Sequence, residues 1–425
     1  MQFENSRSFA EAMDREDPLK IFRSYFYIPK NNEGDDLIYL TGNSLGLQPK
    51  STFDYINQEL LDWEKYGVEG HFHAKNPWLP YHEFLTQSMA EVVGAKPIEV
   101  VVMNTLSVNL HLMMVSFYRP TKERYKIMIE SDAFPSDKYA VQSQLKFHGF
   151  DPNEGLIELT PREGEELLRQ EDILQKIEEH GKSLALVMIG NTNYYTGQAF
   201  DMKSIAAHAH KHGAKVGFDC AHGAGNVELD LHETNADFAV WCSYKYLNSG
   251  PGSLGGVFVH ERHSNDKSLP RFEGWWGHNK ETRFRMRDDF DPIPGVEAWQ
   301  LSNPPILSMA AIMSSLKIFA EAKMGNLRIK SEKLTGYMEY LVNEISDDSI
   351  KIITPSETRQ RGSQLSIQMK NADKKLFDWL TKEGVVADWR EPDVIRVAPV
   401  ALYNSFEDVF QFVSLLKQGL NTNKA

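Results

Sequence analysis

Apolar and polar positions alternate regularly over the middle of the chain. Between residues 84 and 259, short apolar runs are separated by stretches of helical period. The pattern predicts helices over 84–93, 107–117, 136–147, 165–179 and 202–211, with strands over 100–103, 126–129, 156–159, 184–189, 216–219, 238–241 and 256–259. Strands that alternate with helices of roughly ten to fifteen residues build βαβ units and a mostly parallel sheet. Runs such as 100–103, 184–189 and 238–241 are apolar throughout, as expected for strands covered on both faces.

The flanks follow other patterns. Residues 1–50 are weakly periodic and contain Leu40-Thr41-Gly42-Asn43-Ser44-Leu45-Gly46, whose Gly, Asn and Ser content predicts an irregular loop. An amphipathic helix is expected over 51–66, with Phe53, Ile56, Leu60 and Trp63 on its apolar side. Residues 261–305 break the alternation with Arg271, Trp275, Trp276, Arg283, Arg285 and the Pro292/Pro294 and Pro304/Pro305 pairs, a candidate lid. Beyond it, helices over 307–319, 327–345 and 406–416 and strands over 350–353, 365–369 and 394–397 predict a small α+β unit. The expected division is an N-terminal accessory segment (1–50), a large α/β domain (51–305) and a small C-terminal α+β domain (306–425).

Composition narrows the class. The chain has 425 residues, 41% of them hydrophobic, enough for a large core without disulfide or metal staples. A net charge of −13 opposes nucleic acid and anionic membranes at long range, so neither is expected as a partner. Two cysteines, Cys220 and Cys242, lack metal-ligand spacing and point to a reducing compartment. The N-terminal residues lack a signal-peptide pattern, and no apolar run approaches the roughly 20 residues of a membrane helix. A soluble, cytoplasmic enzyme is expected.

In open α/β sheets, ligands bind at the carboxyl ends of strands. Two such ends carry chemistry. Asp219 closes one apolar run, followed by Cys220-Ala221-His222. Ser243-Tyr244-Lys245-Tyr246 follows the next run and leads into a Gly-rich stretch over 250–256. A desolvated lysine forms Schiff bases, and an acid beside a pyridine nitrogen makes the ring an electron sink. Singly, Asp219 could be a strand-end cap and Lys245 a solvated cation; together they favour pyridoxal phosphate chemistry. Asn104-Thr105-Leu106-Ser107 opens a helix after the first strand and is either a phosphate cradle or an ordinary N-cap. Phe134-Pro135-Ser136-Asp137 is either an aromatic face for a cofactor or a proline helix start. There is no P-loop and no GxSxG elbow. Gly250, Gly252 and Gly255 spell GxGxxG but precede a strand. His208, His210 and His212 fit a solvated helix end, and no metal site is expected.

These blocks, with Tyr195-Thr196-Gly197-Gln198, Gly274-Trp275-Trp276-Gly277-His278, Ser302-Asn303-Pro304-Pro305, Ile395-Arg396-Val397-Ala398-Pro399 and Leu402-Tyr403-Asn404-Ser405-Phe406, closely resemble the kynureninase family. The motifs run in order from residue 40 to 408. The resemblance implies a fold-type I pyridoxal phosphate enzyme. It would have a seven-stranded, mostly parallel large domain, a small α+β C-terminal domain, and an active site at a homodimer interface. It implies hydrolysis of kynurenine or 3-hydroxykynurenine to an anthranilate and alanine, within tryptophan catabolism and NAD biosynthesis. On this sequence, Lys245 would hold pyridoxal 5′-phosphate and take the Cα proton, Asp219 would pair with the ring nitrogen, and Tyr244 would act as acid/base. Leu106, Ser107, Tyr244 and Trp275 would bind phosphate, Trp275 coming from the neighbouring subunit. Phe134, Asp137 and His222 would contact the ring. Asn303 would touch both cofactor and substrate, and Ser44, His71 and Arg396 the substrate, Arg396 clamping its carboxylate. His71 and Asn303 tilt the expectation towards the 3-hydroxy substrate. Ser107 replaces a threonine of many members and keeps the hydroxyl. Gly190 falls where relatives carry Ser or Thr, leaving that space to water, Asn191 or Thr192. The alternatives are a cysteine desulfurase or class V aminotransferase, or a non-catalytic binding protein on the same fold. A desulfurase needs a mobile nucleophilic cysteine, and both cysteines fall on or beside core strands.

Overall fold

The structure is a computed structural model and describes residues 2–370 and 374–422. Its strands in chain order are β1 (Ile38–Tyr39), β2 (Val100–Met103), β3 (Lys126–Glu130), β4 (Leu156–Leu159), β5 (Leu184–Gly190), β6 (Lys215–Asp219), β7 (Phe238–Cys242), β8 (Gly255–Val259), β9 (Ile350–Ile352), β10 (Leu365–Met369), β11 (Val385–Val386), β12 (Asp388–Arg390) and β13 (Val394–Val397). Seven form one sheet in the order β2-β8-β7-β6-β5-β3-β4. The pairings from β7 through β4 are parallel, whereas β8 runs antiparallel to both β7 and β2. The mostly parallel sheet expected from the apolar runs is present.

Alternation along the strands divides the sheet between two cores. Val100, Val102, Met128, Val187, Ile189, Val216 and Phe218 enter one. Val101, Met103, Ile127, Ile129, Leu186, Met188 and Val240 enter the other. Helices on both faces exclude water from the central strands, which explains the apolar sequences of β2, β5 and β7, whereas edge strand β4 carries the exposed Glu158.

The smaller sheet has the order β12-β13-β10-β9 and is wholly antiparallel. Its core joins Leu365, Ile367, Ile395 and Val397 to Leu334, Met338, Phe412 and Leu416, and includes Ala10, Ile38 and Leu40 from the N-terminal segment. β1 pairs with β11, a strand pairing that the sequence pattern did not predict, although packing of the N-terminal segment on the C-terminal domain or on a partner subunit was expected. Two residues per strand are too few for a periodic signal. The expected division at 305/306 falls just before helix Ile306–Ala322, whose Met309, Ile312, Leu316 and Phe319 belong to the large-sheet core. Helix Met324–Glu344 then passes between the cores, with Leu327 in one and Leu334 in the other.

Two local expectations are corrected. The helix predicted over 165–179 is Gln170–His180. Gly164 takes φ +79, and Arg162 and Arg169 pair with Asp172 and Glu165 to form a charged loop before it. His210 is not a solvated helix-end group, because its Nε2 contacts Asp237 Oδ2 at 2.9 Å.

Asp237 is itself a hub. It accepts from His263 and Arg262 at 2.9 Å, from Lys215 at 3.1 Å and from the Val216 N–H at 2.9 Å. Burial alone would raise its pKa, but the His210 and His263 bonds and the Lys215 and Arg262 charges hold it well below the carboxylate range. The folded value lies below the unfolded 3.8, so this stabilisation is complete above that pH and is lost as pH falls below about 4. Asp237→Asn is expected to cost about 2 kcal/mol at pH 7, allowing for the partners' partial exposure. Urea unfolding at pH 7 and pH 3 should show that deficit shrinking at the lower pH.

Candidate active site

The carboxyl ends of β3, β5, β6 and β7 meet at one cleft of about 590 Å³, open solvent included. Its walls bring together Leu106, Ser107, Phe134, Asp137, Asp219, His222, Tyr244 and Lys245, residues spread over 140 positions of sequence. Parallel connections explain the convergence, since every crossover returns the chain to the same edge.

Each residue has a local cause. Asn104 at φ 46 turns the chain from β2 into helix Leu106–Phe117. The N-cap Thr105 side chain makes no capping bond, which leaves first-turn N–H groups facing the cleft. Ser107 Oγ lies 2.8 Å from Ser136 Oγ, so two helix starts share a hydroxyl pair. The Thr41–Gly46 loop packs on the lysine segment, and Gly46 donates its N–H to the Tyr244 carbonyl at 2.8 Å. A Cβ on Gly46 would stand 2.3 Å from the Lys245 carbonyl oxygen, so only glycine fits there.

Negative charge dominates the interior. Burial raises the pKa values of both Asp137 and Asp219, and the Asp219 charge pushes Asp137 further. Asp137 therefore carries the proton and donates to Asp219, whose Oδ1 also accepts the Ala221 N–H at 2.6 Å. Lys245, with Nζ 5.9 Å from the Phe134 ring centroid, is the one amine among the described lining residues. Burial and the positive charges of Lys245, Arg396 and Arg390 lower the His222 pKa and keep the imidazole neutral. Burial and the neighbouring Cys242 raise the Tyr244 phenol, which holds its proton.

Arg396 stands one layer back. Its Nη1 donates to the Tyr194 carbonyl at 2.6 Å, its Nη2 pairs with Asp388, and its guanidinium lies 5.8 Å from the Tyr194 ring centroid. Its Nε is buried without a partner among the described residues. Tyr194 in turn packs edge-on against Phe134 at 5.3 Å and lines the cleft.

Besides Arg396, four expected residues are not among the cleft-lining groups. Ser44 is exposed on the loop beside the lysine segment. His71 is bonded through Nδ1 to the Val68 carbonyl at 2.8 Å. Trp275 donates to the Arg283 carbonyl at 3.1 Å, and Asn303 is exposed. The sequence reading missed Glu130, Ser136 and Tyr194, all in the cleft wall. Glu130 carries the same signal as Asp219, an acid closing an apolar run, but the strand was expected to stop one residue earlier.

Both cysteines are buried and free, and burial raises both thiols, so neither is a mobile nucleophile.

The fold and the lysine–aspartate cleft define the class: a fold-type I α/β protein with a mostly parallel seven-stranded sheet and a small C-terminal α+β unit. Similar solved structures include a cysteine desulfurase from Thermococcus onnurineus NA1 (TM-score 0.76, 18% identity, 97% of this chain and 98% of that one). Others are the cysteine desulfurase CsdA from Escherichia coli (0.75, 15%, 95% and 98%) and a C-DES mutant with glycine covalently linked to the PLP cofactor (0.75, 14%, 89% and 96%). At these identities the likeness is one of fold.

Sequence relatives are more specific. Residues 327–416 match the family profile of the kynureninase C-terminal domain. The chain is 58% identical over 415 residues to a kynureninase of Myxococcus xanthus, covering 98% of this chain and 97% of that one. It is 50% identical over 439 residues to a kynureninase of Nematostella vectensis, covering 98% and 94%. The chain belongs to the kynureninase family.

Gly46→Ala is expected to force apart two backbone segments and to cost about 1–3 kcal/mol. Thermal unfolding of the variant against the parent chain checks this, and an unchanged Tm would contradict the contact.

Proposed function

We propose that the chain hydrolyses the Cβ–Cγ bond of L-kynurenine, 3-hydroxy-L-kynurenine or both, releasing an anthranilate and L-alanine, with pyridoxal 5′-phosphate as cofactor. The observation that carries this is Lys245 and Asp219 facing one buried cleft, beside a helix start with free N–H groups. Kynureninases more than half identical over nearly the whole chain support it.

The residues present fit the cofactor. Asp137 Oδ1 and Glu130 Oε2 are buried without protein partners among the described residues, as polar atoms reserved for a ligand are. The Leu106 and Ser107 amides, with the Ser107–Ser136 hydroxyls, suit a phosphate. When bound, the cofactor supplies an electron sink for charge developing at the substrate Cα. Lys245 would hold the cofactor aldehyde and, once displaced by the substrate amine, carry the Cα proton. Asp219, ionised through the proton held at Asp137, would keep the ring nitrogen protonated. Phe134 would pack on the ring face, and neutral His222 would contact the ring without adding charge. Arg396, held by Asp388 and the Tyr194 carbonyl, would turn its remaining N–H donors to the substrate carboxylate. Water would add to the γ-carbonyl, the Cβ–Cγ bond would break with release of the anthranilate, and the Tyr244 phenol, which keeps its proton near neutrality, would act as the general acid that protonates Cβ.

A second copy of the chain would complete the site. Helix Thr52–Tyr66 packs Ile56 of its expected apolar side against the core but turns the other three outward, with Phe53 67% and Trp63 61% exposed, while Glu59 and Asp62 are buried. Leu60, Leu61 and Phe72 extend the exposed apolar surface. Such a patch on a chain with a full core marks an interface. Trp275 would reach the neighbour's phosphate site, with Asn303, His71 and Ser44 beside the substrate ring. The −13 charge argues against nucleic acid as a partner. No helix among the described residues is long and apolar enough to cross a membrane. Two unpaired cysteines support a cytoplasmic location.

Adding kynurenine or 3-hydroxykynurenine to the cofactor-loaded enzyme should release the corresponding fluorescent anthranilate. Silence with both substrates would refute the assignment, and their kcat/KM ratio sets the preference. Borohydride reduction followed by peptide mapping should tag Lys245, and Lys245→Ala should abolish the tag and turnover. Arg396→Lys should raise KM by about tenfold or more through loss of the planar fork. Sedimentation should show a dimer, and Trp63→Asp should shift it towards monomer.

A further inference from the structure

Glu130 ends β3 in the cleft wall and is 3% exposed. Its Oε1 accepts the Gly190 N–H at 2.9 Å. Its Oε2 is buried and has no partner among the described residues. A Cβ at residue 190 would stand 3.1 Å from Oε1, tighter than ordinary contact, so the glycine gives this carboxyl its room. In register, Gly190 pairs with Asp219, which sets Glu130 across the strand end from the acid expected at the ring nitrogen.

The charges facing Glu130 come from several elements. Asp132 follows it in the turn after β3, Asp137 lies on helix Pro135–Phe147, and Asp219 ends β6. Lys245 and neutral His222 line the same cleft, and Glu165 and Glu166 line an adjoining one that Glu130 also borders. Three buried carboxyls share one amine, and a low-dielectric site cannot hold all three as anions.

We propose that Glu130 is a positioning residue for the cofactor ring: anchored by the Gly190 N–H, it carries a proton and offers its free oxygen as a neutral hydrogen-bond donor, leaving Asp219 as the ionised acid. It acts where Gly190 provides no side-chain hydroxyl. Burial, followed by the Asp219 and Asp132 charges, pushes its pKa up to about 7 against the Gly190 bond, which pulls the other way. The donor is therefore present below pH 7, and above it a second negative charge appears beside Asp219.

The inference rests on pyridoxal phosphate occupying this cleft, which the borohydride tag on Lys245 tests separately. The experiment measures the dissociation constant of pyridoxal phosphate, by fluorescence quenching of full-length apoenzyme from pH 6 to 8.5, and the absorption spectrum of the bound cofactor. The parent chain should bind about tenfold more weakly at pH 8.5 than Glu130→Gln does, with the two within about threefold at pH 6, because glutamine keeps a donor and never ionises. Glu130→Ala should bind about tenfold more weakly than the parent at pH 6. The bound spectrum of the parent should change near pH 7 and that of Glu130→Gln should not. Identical pH profiles for the parent and Glu130→Gln would overturn the proposal, as would parental affinity and spectrum in Glu130→Ala. The glutamine comparison stands even if the alanine variant fails to fold.

Discussion

Desolvated negative charge organises this molecule's centre. Glu130, Asp137 and Asp219 lie in one cleft with a single lysine amine, away from the water that would let each ionise independently. Such a cluster is tolerable only if protons are retained and the remaining charge is matched. Asp137 donates to Asp219, Lys245 offsets part of what remains, and His222 stays neutral. The same arrangement suits a ligand that brings a protonated ring nitrogen to Asp219 and a phosphate to a separate helix start. The site is preorganised because the protein pays this desolvation cost in folding rather than at the moment of binding.

The scaffold makes that concentration possible. Parallel strands discharge their carboxyl ends at one edge, and the double-sided core holds that edge rigid. A loop from residues 41–46 closes on the Tyr244 and Lys245 backbone through a glycine that tolerates no side chain. The small domain contributes Arg396, and a residue far along the sequence is tied to the cleft wall through Tyr194, which packs edge-on against Phe134. The Asp388 ion pair sets the direction of that guanidinium.

Helix Thr52–Tyr66 shows how tertiary context overrides local pattern. Its spacing of Phe53, Ile56, Leu60 and Trp63 reads as a core-facing stripe, of which Ile56 alone packs against the core. The fold instead turns Glu59 inward, where Asn76, Trp78 and Tyr81 donate to it, and Asp62 inward, where the Lys75 N–H does. Three convergent donors repay the burial of the Glu59 carboxylate, so the apolar side is left for another surface. The overall charge of −13 opposes anions at long range, and they enter only where local N–H groups and guanidinium outweigh it.

Much of the fold was legible in the chain itself. Mostly apolar runs marked every strand of the large sheet to within a residue or so, because two-sided burial leaves little room for polar positions away from the edge strand β4. Asp219 and Lys245 were legible because each follows such a run. The two-residue strands β1 and β11, the Asp237 hub and the passage of helix Met324–Glu344 between two cores were not legible, since each depends on contacts between distant segments. Glu130 lies between these cases: its position at a strand end is written in the sequence. That its carboxyl is buried, bonded to Gly190 and crowded by two other acids was decided only by tertiary packing, which sets the dielectric and the neighbours that give an acid its charge.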